Sequence, residues 1–185
     1  MSVNIEEQTT STNRLYEGRI ISLRVDSVLL PNGKSSTREI VEHRGAVAIV
    51  PMIDTQTVIM VRQFRAAAGG SLLEIPAGTL DREESMDVCA HRELAEEINY
   101  KAGTMTKLFQ MYVAPGYSTE IIHLYVACNL TPTIGHTDED EFLNVIHLPL
   151  VEAIGMIASG EIQDAKSICG LLQVERILSE LTFEE

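Results

Sequence analysis

The spacing of apolar and polar positions divides the chain into many strands and three helices. Ile21, Leu23 and Val25 alternate with polar residues, which is typical of a strand with one buried face. The run from Gly45 to Ile53 is almost wholly apolar and indicates a strand buried on both faces. The pattern predicts strands at 19–30, 36–43, 45–53, 57–64, 72–75, 106–113, 121–129 and 142–148, and helices at 85–98, 150–159 and 164–181. In the first of these helices Ser85 is a candidate N-cap, and the residues at a helical spacing that would face the core are Met86, Ala90, Leu94 and Ile98.

The order of these elements predicts the fold class. Strands come first, then one helix, more strands and two closing helices, which indicates a mixed α/β fold with sheets between helices. Residues 1–13 are polar and lack periodicity, so we expect a mobile tail. Residues 14–44 form a hairpin that turns at Pro31-Asn32-Gly33, and residues 45–185 form the main domain.

Composition narrows the classes of partner. The formal net charge of −13 over 185 residues argues against nucleic acid and anionic membranes as partners. No apolar run reaches membrane-spanning length, and the N-terminus lacks a basic and then apolar signal peptide. Cys89, Cys128 and Cys169 are widely spaced among apolar residues, so we expect buried, reduced thiols in a cytoplasmic protein.

Candidate chemistry is concentrated in the helix predicted at 85–98. Glu93, Glu96 and Glu97 stand at positions i, i+3 and i+4, which places three carboxylates on neighbouring positions of one surface. Like charges at this spacing repel unless a cation lies among them, and Mg²⁺ prefers such oxygen ligands. Taken alone, however, a glutamate-rich helix surface is most often solvated, with Arg92 as an ordinary salt-bridge partner.

The wider spacing identifies a family. Gly78 is followed after five residues by Glu84, and after seven more by Arg92-Glu-Leu-Ala-Glu-Glu-Ile98. This pattern resembles the signature of the Nudix hydrolases, with one departure, because that family usually has Gly where this chain has Asn99. Asn is the next best residue for a left-handed helix C-cap, so the backbone role is expected to survive.

The resemblance implies an architecture. It predicts the family's α/β/α sandwich with mixed sheets, preceded here by an N-terminal antiparallel hairpin. In relatives that act on nucleoside diphosphate sugars, such an N-terminal part is exchanged between the subunits of a dimer. The resemblance therefore also implies a homodimer.

The resemblance also implies a metal site. A hard divalent cation, Mg²⁺ or alternatively Mn²⁺, would be held by oxygen ligands. Arg92 would orient the carboxylates, and Gly78 would permit a close turn. The implied ligands are Glu93 and Glu97, Glu96 shared between ions, Glu84 as a weaker participant, and the backbone carbonyl of Ala77.

Further catalytic candidates lie in an acidic segment, residues 137–141. By composition alone this is a solvated turn. The resemblance implies that the general base lies here, since the sugar-nucleotide pyrophosphatases of the family carry their catalytic glutamate in this loop. Glu141 is the first candidate and Glu139 the second, with Glu93 and Glu97 acting through the metal.

Substrate-binding candidates follow from charge and from further resemblance. Arg62 and Arg65 end a predicted strand, and a guanidinium matches phosphate oxygens bidentately, so Arg65 is the first choice for a phosphate clamp. Two surface arginines at a strand end are an equally good interpretation of the residues alone. The segments 38–43, 114–120 and 160–167 resemble the ADP-ribose pyrophosphatase subgroup, and Arg38, Tyr117 and Glu120 in them are substrate-binding candidates. Adenine would need a stacking surface, and because the chain has no Trp, the candidates for it are Tyr16, Arg38 and Tyr117.

These features predict a Mg²⁺-dependent enzyme that converts ADP-ribose and water to AMP and ribose 5-phosphate. Two alternatives stay open. The substrate is another nucleoside diphosphate sugar, such as GDP-mannose, or the chain is an inactive ligand-binding or regulatory Nudix module. Asn99 is the only feature that favours the inactive module, since every carboxylate of the signature is present.

Overall fold

The computed structural model describes residues 4–135 and 142–183. That part of the chain contains ten strands and three α-helices. The strands are β1 (Gln8–Glu17), β2 (Ile21–Leu29), β3 (Ser35–His43), β4 (Ala46–Pro51), β5 (Thr57–Arg65), β6 (Gly70–Glu74), β7 (Ala77–Thr79), β8 (Tyr100–Tyr112), β9 (Ile121–Pro132) and β10 (Asn144–Pro149), and the helices are α1 (Met86–Ile98), α2 (Leu150–Ser159) and α3 (Ala165–Ile177).

The chain divides into two compact units. The first comprises residues 1–45 and 112–121, and the second comprises residues 46–111 and 122–185. Within the first unit, β1, β2 and β3 form an antiparallel sheet in that order. A segment around Ser118 joins this unit through a bridge to Val41, and the Val41 N–H donates to the Tyr117 carbonyl (2.8 Å).

Strand β1 corrects one prediction. Residues 8–13 were expected within a mobile tail, but they lie in β1 and pair with β2. Every residue of β1 is exposed, so the strand shows no buried face that an apolar pattern could reveal. Backbone pairing to β2 holds it, and that pairing leaves no trace in side-chain polarity.

The second unit is built on strand β4. All six of its residues are buried, as its apolar run predicts. It pairs antiparallel with β7 and in parallel with β9, in a sheet of order β7-β4-β9-β8, while a second sheet has the order β10-β5-β6. A mixed α/β fold is therefore confirmed.

Alternate residues of β4 supply two hydrophobic clusters. Val47 and Ile49 pack in the cluster that contains the buried side chains of α1. Ala48 and Val50 pack in the cluster that contains the buried side chains of α2 and α3. Helices thus cover both sides of the strand, and α1 is held over the centre of the sheet.

Two side-chain predictions were wrong. Met86, expected in the core face of α1, is 38% exposed because it lies in the first turn, ahead of the buried positions Ala90 and Leu94. Cys169 is exposed, whereas Cys89 and Cys128 are buried as expected. On α3 the buried face passes through Gly170, and Cys169 lies outside it. No helix in the described residues has both the length and the apolar character needed to cross a membrane.

Candidate active site

Helix α1 carries the carboxylates, and its two ends are fixed by local interactions. Ser85 is the N-cap, as predicted, and its side chain accepts a hydrogen bond from the Val88 N–H (3.3 Å). Asn99 is the C-cap in the left-handed conformation (φ 60°, ψ 40°). This confirms the expected backbone role of Asn99 in place of the usual glycine.

Asn99 also has a role that glycine lacks. Its side-chain Oδ1 accepts a hydrogen bond from the Gly135 N–H (2.9 Å), and its carbonyl accepts one from the Thr133 N–H (2.8 Å). A Cβ at Gly135 would overlap the Ala95 carbonyl at the end of α1. The residue therefore fixes the segment that follows β9 against the C-terminus of the carboxylate helix.

Arg92 lies among three carboxylates. It donates from Nε and Nη2 to the two oxygens of Glu84 (2.9 Å each), and from Nη1 to Glu93 Oε1 and Glu96 Oε2 (2.8 Å each). The prediction that Arg92 orients the carboxylates agrees with this geometry. One guanidinium cannot neutralise so many carboxylates, so the local charge stays negative and attracts a cation.

The same contacts shift the pKa values of Glu84 and Arg92. The hydrogen bond from Arg92 lowers the pKa of Glu84 from 4.5 to about 2, against the opposing effect of burial. The pKa of Arg92 is raised, first by its hydrogen bond to Glu84 and further by the charge of Glu93. Both groups are therefore charged throughout the physiological pH range.

Gly78 and Ala77 bring strand β7 against α1. Glu93 and Glu97 are only 7% and 4% exposed, and a Cβ at Gly78 would overlap the Glu93 carboxylate. The Ala77 N–H donates to Glu97 Oε2 (3.2 Å). Gly78, predicted to permit a close turn, is thus adjacent to the predicted carboxylate ligand Glu93. Ala77, predicted to offer its carbonyl as a ligand, is adjacent to the other carboxylate ligand, Glu97.

The donor set beside α1 suits a hard cation by its chemistry rather than by the arrangement of its described side chains. Among the described residues, no group of three or more His, Cys, Asp or Glu side chains is arranged to hold a metal. Arg92 binds Glu84, Glu93 and Glu96 instead. Carboxylate and carbonyl oxygens are nevertheless the ligands that Mg²⁺ and Mn²⁺ prefer, so the residues present fit such an ion chemically.

Two arginines of β5 have different surroundings. Arg65, the first choice for a phosphate clamp, donates to both oxygens of the buried Glu74. Arg62 is exposed and lines a cavity of about 610 Å³ in the second unit. That cavity also exposes Glu97, Asn99 and Phe64. The cavity therefore lies beside α1 and β5, and Arg62 brings a positive charge to its lining.

The remaining substrate candidates lie in the first unit. Arg38 and Tyr117 line a cavity of about 300 Å³, and Arg38 donates to both carboxylate oxygens of Glu7. Glu120 lies 3.7 Å from His43 Nδ1. Tyr16 is exposed on β1 and is absent from the lining of this cavity.

The general-base candidates fall in the acidic segment at 137–141. Glu139 and Glu141 lie outside the described residues, and their assignment stays a prediction from the sequence. The described chain reaches Gly135 on one side and begins again at Phe142, which lines the cavity next to Asn144.

Sequence reasoning missed a buried ionic cluster behind Arg65. Glu74 binds Arg65 and Lys166, and Lys166 also donates to Asp164 (3.0 Å). The signal was available, because Glu74 is a charged residue inside the apolar run Leu72-Leu73-Glu74-Ile75. A buried carboxylate of this kind needs cationic partners.

Comparison with known proteins decides the family. The model described as NUDIX domain matches residues 42–171, and the model described as nucleoside diphosphate sugar hydrolase N-terminal domain matches residues 7–41. The chain belongs to the Nudix family. The resemblance seen in the signature at 78–98 is thereby confirmed, and with it the fold class.

Individual Nudix relatives cover nearly the whole chain. An ADP-ribose pyrophosphatase of Bacillus subtilis is 41% identical over 166 residues, covering 89% of this chain and 90% of its own. A methanol dehydrogenase activator of Bacillus methanolicus is 42% identical over 177 residues, covering 94% and 96%. Among solved structures, an ADP compounds hydrolase superposes with a TM-score of 0.86 at 24% identity, covering 97% of each chain.

Replacing Gly78 by Ala tests the packing between β7 and α1. The new methyl group would meet the Glu93 carboxylate and displace it, and a displacement of about 1 Å in a catalytic group can cost roughly 100-fold in rate. We expect the affinity for Mg²⁺, measured by calorimetry, to fall together with kcat/KM.

Gly155→Ala is the matched control. Gly155 lies in α2, and no atom lies within 4 Å of the place that an added methyl group would take. This change should therefore stabilise the helix by up to about 1 kcal/mol and leave Mg²⁺ affinity unchanged. Equal Mg²⁺ affinity in both variants would contradict the importance of the Gly78 contact.

The Glu84–Arg92 pair predicts a specific acid response. Because the pKa of Glu84 falls from 4.5 to about 2 on folding, its contribution to stability is complete above pH 4.5 and is lost as the pH falls toward 2. Urea denaturation of Glu84→Gln should show a smaller decline in unfolding free energy over this range than the parent chain. The exposed Glu152→Gln, on α2, should follow the parent, and a parent-like slope for Glu84→Gln would exclude this contribution.

Proposed function

We propose that this chain hydrolyses the pyrophosphate bond of a nucleoside diphosphate sugar, with ADP-ribose as the preferred substrate and AMP and ribose 5-phosphate as the products. The observation that carries the proposal is the complete set of signature carboxylates on and beside α1, with Glu93 packed against Gly78. The overall similarity to an ADP-ribose pyrophosphatase supports the choice of substrate.

We assign Mg²⁺, with Mn²⁺ as the alternative, to the oxygen ligands beside α1. Glu93, Glu96 and Glu97 would hold it with the Ala77 carbonyl, and Glu84 would take part more weakly. A divalent cation bound there would neutralise diphosphate oxygens and lower the pKa of a bound water. Arg92 binds Glu93 and Glu96, and a cation at these carboxylates would take the place of those hydrogen bonds.

The arginines of β5 would bind the diphosphate. Arg62 lines the larger cavity. The pKa of Arg65 is raised mainly by its hydrogen bond to Glu74 and further by the charge of Glu97, so Arg65 interacts electrostatically with the carboxylate helix. A guanidinium presents paired donors that match phosphate oxygens. Their positive charge counters the acidic chain where an anion must bind.

For the nucleobase we propose Tyr117 and Arg38, with Glu120 as a hydrogen-bond acceptor. Tyr117 is exposed and lines the smaller cavity with Arg38. Aromatic rings and guanidinium groups both stack on bases. For the general base we retain Glu141, and then Glu139, on the strength of the family resemblance.

A regulatory function is the second candidate. It is favoured by one observation, the similarity over nearly the full length to a protein named methanol dehydrogenase activator. A hydrolase needs the carboxylates of α1 for its activity, whereas a regulatory module would keep its function without them. Another sugar nucleotide, such as GDP-mannose, would keep the chemistry and change only the base and sugar contacts.

The decisive measurement is hydrolysis of a panel of sugar nucleotides with Mg²⁺, followed by chromatography of the products. We expect AMP from ADP-ribose at a clear preference. Glu97→Gln should lower the rate by orders of magnitude while ligand binding persists, because it removes a buried charged ligand.

Other outcomes of the panel are equally informative. Preference for GDP-mannose would overturn the substrate but keep the reaction. Binding of ADP-ribose without turnover of any member, in the parent chain as in Glu97→Gln, would favour the regulatory candidate. The exposed Glu175→Gln serves as the control for loss of one charge.

We also propose a homodimer and a cytoplasmic location. Free cysteines agree with a reducing compartment, and the first unit exposes apolar side chains that a partner subunit would cover. The exposed residues in question are Leu15, Tyr16, Ile20, Ile21 and Leu29.

Light scattering after size-exclusion chromatography tests the dimer. We expect a mass twice the 20.4 kDa of one chain. The double variant Leu15→Lys and Ile21→Lys should shift the mass toward the monomer, since it adds charge to an apolar patch. Ser11→Lys on the same strand, β1, is the control for added charge, and a monomeric parent chain would exclude the dimer.

A further inference from the structure

Glu74 is the most deeply buried carboxylate of the described chain, at 1% exposure. It ends strand β6, two residues before Pro76, and both of its oxygens are bound. Arg65 donates to Oε1 from Nε and to Oε2 from Nη2 (2.8 Å each), and Lys166 donates to Oε2. A carboxylate removed from water to this extent depends on such partners to stay charged.

The other side of this cluster is the first turn of α3. The N-cap Asp164 accepts from the Ser167 N–H (3.0 Å), from Ser167 Oγ (2.5 Å) and from Lys166 Nζ (3.0 Å). Ser167 Oγ in turn accepts from the Ile75 N–H (2.8 Å). The first turn of α3 therefore binds two successive residues of the chain. Lys166 binds the Glu74 side chain, and Ser167 binds the Ile75 backbone.

Arg65 differs from the other members of the cluster because its side chain is 41% exposed. It uses Nε and Nη2 for Glu74, and within the described residues its Nη1 has no hydrogen-bond partner. The charges of Glu97 and Asp164 add to the increase in the pKa of Arg65 that begins with its hydrogen bond to Glu74. The guanidinium is thus anchored along one edge with its remaining donors available. Its anchor, Glu74, lies three residues before Ala77, whose N–H donates to Glu97 on the carboxylate helix.

We propose that Glu74 is a positioning residue that fixes Arg65 as a clamp for the substrate diphosphate, and that Lys166 fixes Glu74 in turn. The inference rests on the proposed function for its ligand. An unrestrained arginine loses rotamer freedom when it binds, whereas a guanidinium already held at one edge presents its other donors in one orientation. The cluster therefore has two roles, because it joins β5, β6 and α3 and also holds Arg65 in position.

A double-mutant cycle separates this role from a purely structural one. Each chain is titrated calorimetrically, in the presence of Mg²⁺, with ADP-ribose that carries a methylene bridge in place of the bridging oxygen. We expect Glu74→Gln to weaken binding roughly tenfold, since a charged hydrogen-bonded pair is lost. In the Arg65→Met background, the same Glu74→Gln change should have almost no further effect.

Stability provides the second readout. Glu74→Gln removes one of the two carboxylates that pair with the buried Lys166 and leaves Asp164 as the other, so the melting temperature of this variant should fall. In the double variant Glu74→Gln and Lys166→Met the buried cation that lost a partner is gone, and the melting temperature should recover while analogue affinity stays low. Glu175→Gln, on the exposed face of α3, should change neither quantity.

The outcomes distinguish this proposal from the proposed function. Equal effects of Glu74→Gln in the parent and Arg65→Met backgrounds would overturn the positioning role even if hydrolysis is normal. Recovery of affinity along with stability in the Glu74→Gln and Lys166→Met chain would overturn it as well. If the effects of the Glu74 and Arg65 changes are coupled in a parent chain that binds the analogue but hydrolyses nothing, the positioning role is supported and the hydrolase is rejected. Failure of the parent chain to bind the analogue would reject both.

Discussion

The contact between Arg92 and the carboxylates beside it is the constraint on which the candidate site depends. Glu84, which precedes α1, and Glu93 and Glu96 on the helix would repel one another if they were held together without a cation. Arg92 binds all three and leaves excess negative charge. Arg92 therefore offsets part of the repulsion between the carboxylates without an ion, and the negative charge that remains attracts a cation.

The rest of the second unit places that helix. The buried strand β4 pairs with β7, which brings Gly78 beside Glu93 and Ala77 beside Glu97. From the opposite side, α3 packs against the same strand, where a methyl group on Gly170 would meet Val50. The sheet between the helices thus sets the distance from the carboxylates to strand β7, which faces them.

Local signals made much of this predictable from the sequence. Ser85 and Asn99 cap α1 through interactions that involve only near neighbours, and the spacing from Gly78 to Glu97 follows from helix geometry. The fully apolar run of β4 likewise revealed its burial. Each of these features depends on residue types whose conformational preferences hold in almost any surroundings.

The failures depend on distant partners. Strand β1 is held by pairing with β2 and has no buried side chain to reveal it. Arg65 could be recognised as a candidate ligand for phosphate, but its bond to Glu74 depends on how β5 and β6 are paired. Lys166 is 92 residues from Glu74 in sequence. No local pattern connects such residues, because the fold alone brings them together.

The substitution of Asn99 for glycine has an evolutionary consequence. Its side chain binds the Gly135 N–H, and Gly135 lies too close to Ala95 to carry a side chain of its own. The two positions form one structural pair, so a change at either position alters what the other can tolerate. Among Nudix chains, we therefore expect asparagine at position 99 to be accompanied by glycine at position 135, and a search that demands glycine after the signature would miss a chain of this kind.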